Sequence, residues 1–482
     1  MEPARTELGP RSFTTPARWR LRPADRRPLL VLGDFLAGAA ALVGALYLWG
    51  LSGDEWLGFS REFLDERVQP WFYFLPLIWL GLMVEMYDIH RAARWRTTIR
   101  GVALAALVGL GIYLVAYFSS EPRSLPRSAV GYFLALVSVL TLVWRAVYIR
   151  IFTTTAFLRR AIVVGGGRAG TALLAKLNEL KPAPFVVAGV IDDDPSKVGA
   201  TVEGYPVLGG GGELAEMIAA HRISDVIVSI SGPMEGRVFQ ALLDAQEQGV
   251  EISRMQRVYE DLFGRVPIFH LESDWMVRSF VEESAVNAFY LVVKRLMDLL
   301  GGLVGTAAFL MVLPFVLIAN LVETGFPIFY LQTRSGKNDR RYAVIKFRTM
   351  VVDAEEDGTP RWTAENDERV TRVGWFLRKT HLDELPQFIN VLKGEMSLVG
   401  PRPERPALIK LFQEHVPFYR ARLLVKPGLT GWAQIHQVYA SNVEETNEKL
   451  EYDLYYIKHR NMLLDLLILL RTPATILGLR GR

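Results

Sequence analysis

The sequence predicts a multidomain membrane protein: an α-helical transmembrane bundle, an α/β Rossmann-like domain, and a mainly α (α/β) C-terminal domain entered through a re-entrant membrane helix. Three observations predict it. Long apolar runs fill the N-terminal third, short β-branched runs alternate with helical stretches after Arg160, and a further apolar run interrupted by Pro314 precedes a basic C-terminal third. At 482 residues the chain exceeds one ordinary domain of about 150 residues. Half of it is hydrophobic and the mean hydropathy is +0.19, high for a chain that must keep its whole surface wet. There is no cysteine, which excludes disulfides, thiolate metal sites and a cysteine nucleophile. A net charge of +4 is too small for a dedicated nucleic-acid binder, and the basic residues gather beside apolar runs.

Four runs in residues 28–152 read as membrane spans: Leu29 to Leu51, Trp71 to Tyr87, Val102 to Phe118 and Val130 to Ile151. Each approaches or reaches the ~20 residues a helix needs to cross hydrocarbon. The first is too long and too late for a plain signal peptide. Residues 1–27 form a basic tail with Arg18, Arg20, Arg22, Arg26 and Arg27, the next loop is acidic (Asp54, Glu55, Glu62, Asp65, Glu66), and Arg91, Arg94, Arg96 and Arg100 make the following one basic again. Positive-inside asymmetry then puts both ends of the bundle in the cytoplasm. Asp34 and Arg145 lie inside spans, where packing within the bundle is favoured over a transport site. The four spans read as an anchor or oligomerisation module, with a homodimer expected.

Residues 160–282 alternate strand and helix patterns. The strand Ala161-Ile-Val-Val164 runs into Gly165-Gly-Gly-Arg-Ala-Gly170, so Gly165, Gly167 and Gly170 fit G-x-G-x-x-G between strand and helix. Asp192 falls near the ~20-residue offset of a ribose-binding acid. A helix N-terminus there would offer amides to a nucleotide phosphate. A nucleotide site and a retained fold with a structural or regulatory role both fit these residues. No Tyr-x-x-x-Lys or hydride-transfer constellation follows within residues 160–282, which disfavours an oxidoreductase.

Residues 289–323 contain Leu299 to Leu321, uncharged and long enough to span. Pro314 removes a helix hydrogen bond and clashes one turn back. Because the domain that follows, residues 324–482, is basic and rich in phosphate-type residues, a break that turns the chain back to its face of entry is expected. Its recurring elements are Gln332-Thr-Arg-Ser-Gly-Lys-Asn338, Lys346-Phe-Arg-Thr-Met350, Asp353-Ala-Glu355, Arg378-Lys-Thr-His-Leu-Asp-Glu-Leu-Pro386, Gly400-Pro-Arg-Pro403 and Lys426-Pro-Gly-Leu-Thr-Gly431. Adjacent carboxylates can supply a nucleophile and bind a hard divalent cation, while Lys and Arg neutralise phosphate oxygens, so the set suggests phosphoryl transfer. Arginine suits this because its planar fork matches phosphate. Tyr452, Tyr455, Tyr456 and the run Met462 to Leu470 suit either a membrane interface or a core helix, and Arg480 and Arg482 suit anionic lipid.

Taken together, Lys346-Phe-Arg-Thr-Met350, Leu382-Asp-Glu-Leu-Pro386, Asn390-Val-Leu-Lys-Gly394 and Gly400-Pro-Arg-Pro403 resemble the bacterial sugar transferase family, the monotopic polyprenyl-phosphate phosphoglycosyl transferases. The resemblance runs from about Lys294 to the C-terminus, and the preceding regions resemble its large-form members, which initiate exopolysaccharide or O-antigen units. It implies an enzyme of the bacterial inner (cytoplasmic) membrane whose catalytic domain faces the cytoplasm, a UDP-sugar donor, undecaprenyl phosphate as acceptor, and Mg2+ as cofactor. It implies that Asp383 attacks the donor, releasing UMP, and that the lipid phosphate then takes the phosphosugar. Asp383 and Glu384 match the metal pair. Lys346, Arg378 and Arg402 match phosphate-holding positions, with Arg348, Arg334 and Gln332 as further substrate contacts, and Pro314 matches the break in the re-entrant helix. His436 departs from the asparagine that many relatives carry, and no residue names the sugar.

Overall fold

The computed structural model describes residues 23–52, 59–87, 92–119, 127–152, 158–181, 183–230, 232, 234, 236–268, 288–351, 367–436 and 443–476. Of the residues singled out above, Arg18, Arg20, Arg22, Asp54, Glu55, Arg91, Asp353, Glu355, Arg480 and Arg482 lie outside this set. The chain divides into two compact units, Met1–Leu262 and Phe263–Arg482. The α/β domain was expected to reach residue 282, but Val266 and Ile268 already belong to the C-terminal core.

Three of the four N-terminal runs are long helices, Pro23–Ser52, Trp95–Ser119 and Arg127–Phe152. The run from Trp71 to Tyr87 is not one regular helix: a 3-10 turn Pro70–Phe74, a helix Leu75–Leu82 and a second 3-10 turn Val84–Tyr87 follow one another. Pro70 and Pro76 each lack an N–H, and each sits where a helical stretch begins. Gly33 lets the first and last helices approach, since a Cβ there would fall 2.0 Å from Trp144. Asp34 and Arg145, both 0% exposed, form an ion pair at 2.6 Å, and Arg145 Nη1 also donates to the Met86 carbonyl. Packing within the bundle therefore accounts for both charges.

In the α/β domain, strands β1 (Arg159–Val164), β2 (Phe185–Ile191), β3 (Thr201–Val202), β4 (Tyr205–Gly209), β5 (Asp225–Val228) and β6 (Glu251–Arg254) form one sheet of order β3-β4-β2-β1-β5-β6. All pairings are parallel except β3 with β4. The central strands are apolar and buried, as strands covered by helices on both faces must be. The order reverses between β1 and β5, beside the Gly165 loop.

The second unit is built on the helix Ala288–Glu323, which remains continuous through Pro314. At 1.5 Å per residue it is about 54 Å long. One side of it docks along the globular part throughout. Lys294 Nζ donates to the Val399 carbonyl, Asp298 Oδ1 accepts from Ser397 Oγ and Leu398 N, Gly305 faces Phe388, Phe309 meets Phe347, and Asn320 Nδ2 donates to the Arg348 carbonyl. The opposite side, including Phe289, Val304, Met311, Phe315 and Val322, is exposed and apolar. A hairpin of β7 (Phe329–Ser335) and β8 (Arg341–Phe347) and a parallel pair β9 (Ser397–Val399) and β10 (Gly428–Thr430) complete the framework. Tyr456 is buried with Leu450, Leu454 and Ile457, which makes Val443–His459 a core helix, whereas Met462–Ile476 buries Ile468 and exposes Leu463, Leu466 and Leu470.

Candidate active site

Three segments of the second unit converge. Strand β8 carries Lys346 as its penultimate residue, its register fixed against β7 (Lys346 opposite Tyr330). The side chain of Asn390 braces this strand, donating to the Ala343 carbonyl and accepting from Ile345 N. A 3-10 helix, Leu382–Gln387, carries Asp383 and Glu384 and is entered through His381 in the left-handed region at φ 57. The loop after β9 carries Arg402. It begins at Gly400, where a Cβ would lie 2.4 Å from the Lys426 carbonyl, so only glycine lets this loop pass the Lys426-Pro-Gly turn. Pro401 and Pro403 keep it extended.

Glu384 is clamped. Its Oε1 accepts from Lys346 Nζ and from Arg402 Nη2, both at 2.7 Å. Burial alone would raise its pKa, but the charges of Arg402 and Lys346 outweigh that and hold it well below the usual carboxylate range. Asp383, 9% exposed, is the opposite case. Among the described residues its carboxylate takes no hydrogen bond and no ion pair. Burial, and then the charge of Glu384, push its pKa up, while Lys346, Arg378 and Arg402 oppose the rise from a distance. The result is a bare carboxylate in a basic setting next to a neutralised one.

Arg378 lies on the helix Arg372–Lys379, capped by Thr371 Oγ1 on Gly374 N and by Glu323, whose carboxylate accepts from Arg372 N and Val373 N. Its Nε donates to Thr349 Oγ1 at 2.9 Å. Three of the expected substrate contacts make their hydrogen bonds elsewhere. The buried Arg348 donates through Nη2 to the carbonyls of Thr324 and Gly325 and to Thr324 Oγ1, closing the end of the helix Ala288–Glu323, while its Nε and Nη1 find no partner among the described residues. Arg334 donates to the Pro403 carbonyl and to Gln332 Oε1, and Gln332 Nε2 donates to Tyr330 Oη. His436 stacks on Tyr452 within the C-terminal core.

Among the described residues no group of three or more His, Cys, Asp or Glu is gathered to hold a metal. The adjacent carboxylates nevertheless suit Mg2+, which commonly uses one or two carboxylates and completes its shell with water and substrate phosphate. In the α/β domain, Gly165 takes φ 102 and Gly170 permits contact with the Gly165 carbonyl, 2.0 Å from where a Cβ would be, whereas Gly167 has open space. Asp192 Oδ2 accepts from Gly166 N at 2.7 Å and from Lys197 Nζ at 3.0 Å, and Oδ1 accepts from Asp194 N at 3.0 Å. Both oxygens are therefore engaged by the protein itself. Residues that sequence reasoning missed are Glu404, Arg422 and Asp453, a buried ionic group behind Arg402. Glu404 directly follows the Gly-Pro-Arg-Pro motif, a usable signal, but nothing in the spacing links Arg422 to Asp453.

A model of the bacterial sugar transferase family matches residues 289–478, and a model described as a CoA-binding domain matches residues 83–255. A UDP-N-acetylgalactosamine-undecaprenyl-phosphate N-acetylgalactosaminephosphotransferase of Aeromonas hydrophila is 41% identical over 47% of this chain and 52% of its own length. An undecaprenyl-phosphate glucose phosphotransferase of Komagataeibacter xylinus is 31% identical over 66% and 59%. A UDP-glucose:undecaprenyl-phosphate glucose-1-phosphate transferase of Caulobacter vibrioides is 38% identical over 38% of this chain and 69% of its own length. The chain thus spans a little over half the length of the first curated relatives it matches.

Proposed function

The chain belongs to the bacterial sugar transferase family, and on that premise we propose that it transfers a hexose 1-phosphate from a UDP-sugar to undecaprenyl phosphate, initiating a surface glycan. The observation that carries this reading is the contrast within the dyad: Glu384 held by Lys346 and Arg402, Asp383 beside it without a partner.

In this reading an Asp383 carboxylate oxygen attacks the sugar-bearing phosphorus, a P–O bond to that oxygen forms, and the bond to the other phosphate breaks with its electron pair leaving on UMP. An oxygen of undecaprenyl phosphate then attacks the same phosphorus and expels the carboxylate, giving the lipid diphosphate sugar and restoring Asp383. The two substrates occupy one small site in turn. Lys346, Arg378 and Arg402 compensate the negative charge that a diphosphate and then a lipid phosphate bring to a carboxylate. When bound, Mg2+ held by Asp383 and Glu384 would neutralise phosphate oxygens.

The long helix supports membrane chemistry at one face. Its N-terminal part, through Lys294 and Asp298, and its C-terminal part, through Asn320 and Glu323, bond to the same globular unit, which supports a helix that stays at one face over a straight crossing. We read it as re-entrant, with the exposed apolar side in lipid and the dyad on the cytoplasmic side of a bacterial inner membrane. In the Rossmann-like domain, the internal bonding of Asp192 favours a retained structural role over a ribose contact.

The test is incubation of the detergent-solubilised chain with undecaprenyl phosphate and a panel of UDP-sugars while UMP is detected. One donor is expected to release UMP and label the protein covalently, and Asp383→Asn is expected to abolish both. UMP release by that variant at the wild-type rate would sink the covalent route. Asp339→Cys, in a chain without other cysteines, is expected to resist impermeant thiol reagents in intact cells, and ready labelling would exclude the re-entrant reading.

A further inference from the structure

We propose that Arg422 and Arg334 are positioning residues for this transfer, locking residues 402–404 so that Arg402 meets Glu384; the proposal rests on the reading of the dyad given above. The loop cannot easily hold itself, because Pro401 and Pro403 have no N–H to donate. Its three successive carbonyls are instead taken from outside. Arg422 Nη2 donates to the Arg402 carbonyl at 3.1 Å, Arg334 Nη1 to the Pro403 carbonyl at 3.0 Å, and Ser335 N to the Glu404 carbonyl at 3.1 Å.

The side chain of Arg402 is 43% exposed, so packing alone does not orient it, and the direction of its backbone sets where the guanidinium can reach. The locking groups are themselves fixed. Arg422, 3% exposed, donates through Nη1 to Tyr419 Oη at 2.7 Å and through Nη2 to Asp453 Oδ2 at 2.8 Å, and lies 3.5 Å from Glu404 Oε1. Lys449 Nζ bonds the same Glu404 oxygen at 2.7 Å, and Arg334 lies 3.7 Å from Oε2. Glu404 therefore ties both arginines to the loop that it ends. Arg422 serves a carbonyl, a phenol and a carboxylate from two nitrogens of one planar fork, a spread that the single ammonium nitrogen of Lys would match less well. Neither arginine bonds Asp383 or Glu384, and each acts through the loop backbone.

A double-mutant cycle on the full chain in detergent tests this, with UMP release from the accepted UDP-sugar and undecaprenyl phosphate as the readout. Arg422→Gln and Arg334→Gln are each expected to lower kcat by about 10-fold or more with KM for the donor changed by less than about 3-fold, and Arg422→Lys is expected to recover part of the loss. In an Arg402→Lys background the same Gln substitutions should cost no more than about 2-fold, because the group they aim is already displaced. Costs that multiply in that background would overturn the proposal. If Arg422→Gln does not fold, Arg334→Gln, at the edge of the hairpin, decides by the same criterion. Should Arg402→Lys transfer at the wild-type rate, the reading of the site has failed, and not the positioning of its loop.

Discussion

Asp192 directly follows strand β2 and Asp383 lies in the 3-10 helix Leu382–Gln387; both are mostly buried, and both feel nearby cations. Their environments are opposite. At Asp192 burial would raise the pKa, but the N–H of Asp194, Lys197 and the N–H of Gly166 outweigh it and hold the acid below its usual range. At Asp383 burial and Glu384 prevail, and the pKa rises. A carboxylate whose lone pairs are filled by its own chain is a structural element. One left bare in a basic pocket retains its capacity to bind or attack, which is where perturbed groups tend to mark chemistry.

The sharpest way to break the comparison is to neutralise each acid in turn. Asp383→Asn is expected to reduce transfer by about 1,000-fold or more, measured as UMP release, while Asp192→Asn leaves it within about 3-fold; equal losses would dissolve the contrast. Next in size is the clamp. Lys346→Met should cost about 100-fold in kcat/KM, because it removes a cation from Glu384 and from the phosphate path together.

Away from both acids, Arg145→Met leaves Asp34 uncompensated within the bundle, and a loss of about 3–5 kcal/mol in stability is expected, read as a fall in melting temperature in detergent. Acid titration supplies a fourth test. Burial would raise Glu404, but Lys449, Arg422 and Arg334 hold it at about 2, against 4.5 for the free side chain. Its contribution, about 3 kcal/mol, is fully present above the unfolded value and lost as pH falls from there through about 2. The melting temperature of the wild type should therefore drop as pH falls from about 4.5 to about 2, the interval set by those values, and Glu404→Gln should flatten that drop. The smallest effect belongs to the glycine loop: Gly167→Val, in open space, should leave transfer measurable in detergent, whereas Gly170→Ala meets the Gly165 carbonyl and should destabilise the α/β domain.

Much of this was legible in the chain. Apolar length located three long N-terminal helices and the helix Ala288–Glu323, because lipid selects on composition over ~20 residues and composition is local. The second expected span, Trp71 to Tyr87, was not legible as a broken segment, since whether Pro70 and Pro76 interrupt a helix depends on what packs against the exposed backbone. Pro314 taught the converse lesson: a proline inside an apolar run did not end the helix. At the site, Asp383, Glu384, Lys346 and Arg402 were named by motif and meet in space. Arg348, Arg334 and Gln332 carry the same donor chemistry, yet their bonds go to the helix end, the Pro403 carbonyl and Tyr330.

What the sequence alone determined was which segments favour lipid, which alternate as strand and helix, and which residue types carry phosphate chemistry. Those follow from side-chain polarity, periodicity and motif order along the chain. Only the tertiary structure decided how each charge is compensated, because compensation depends on partners brought in from far along the chain: Lys346 and Arg402 to Glu384, Lys449 to Glu404, Arg145 to Asp34. Asp192 and Asp383 are the same side chain, and the bonds folding brings to one and withholds from the other separate scaffold from site.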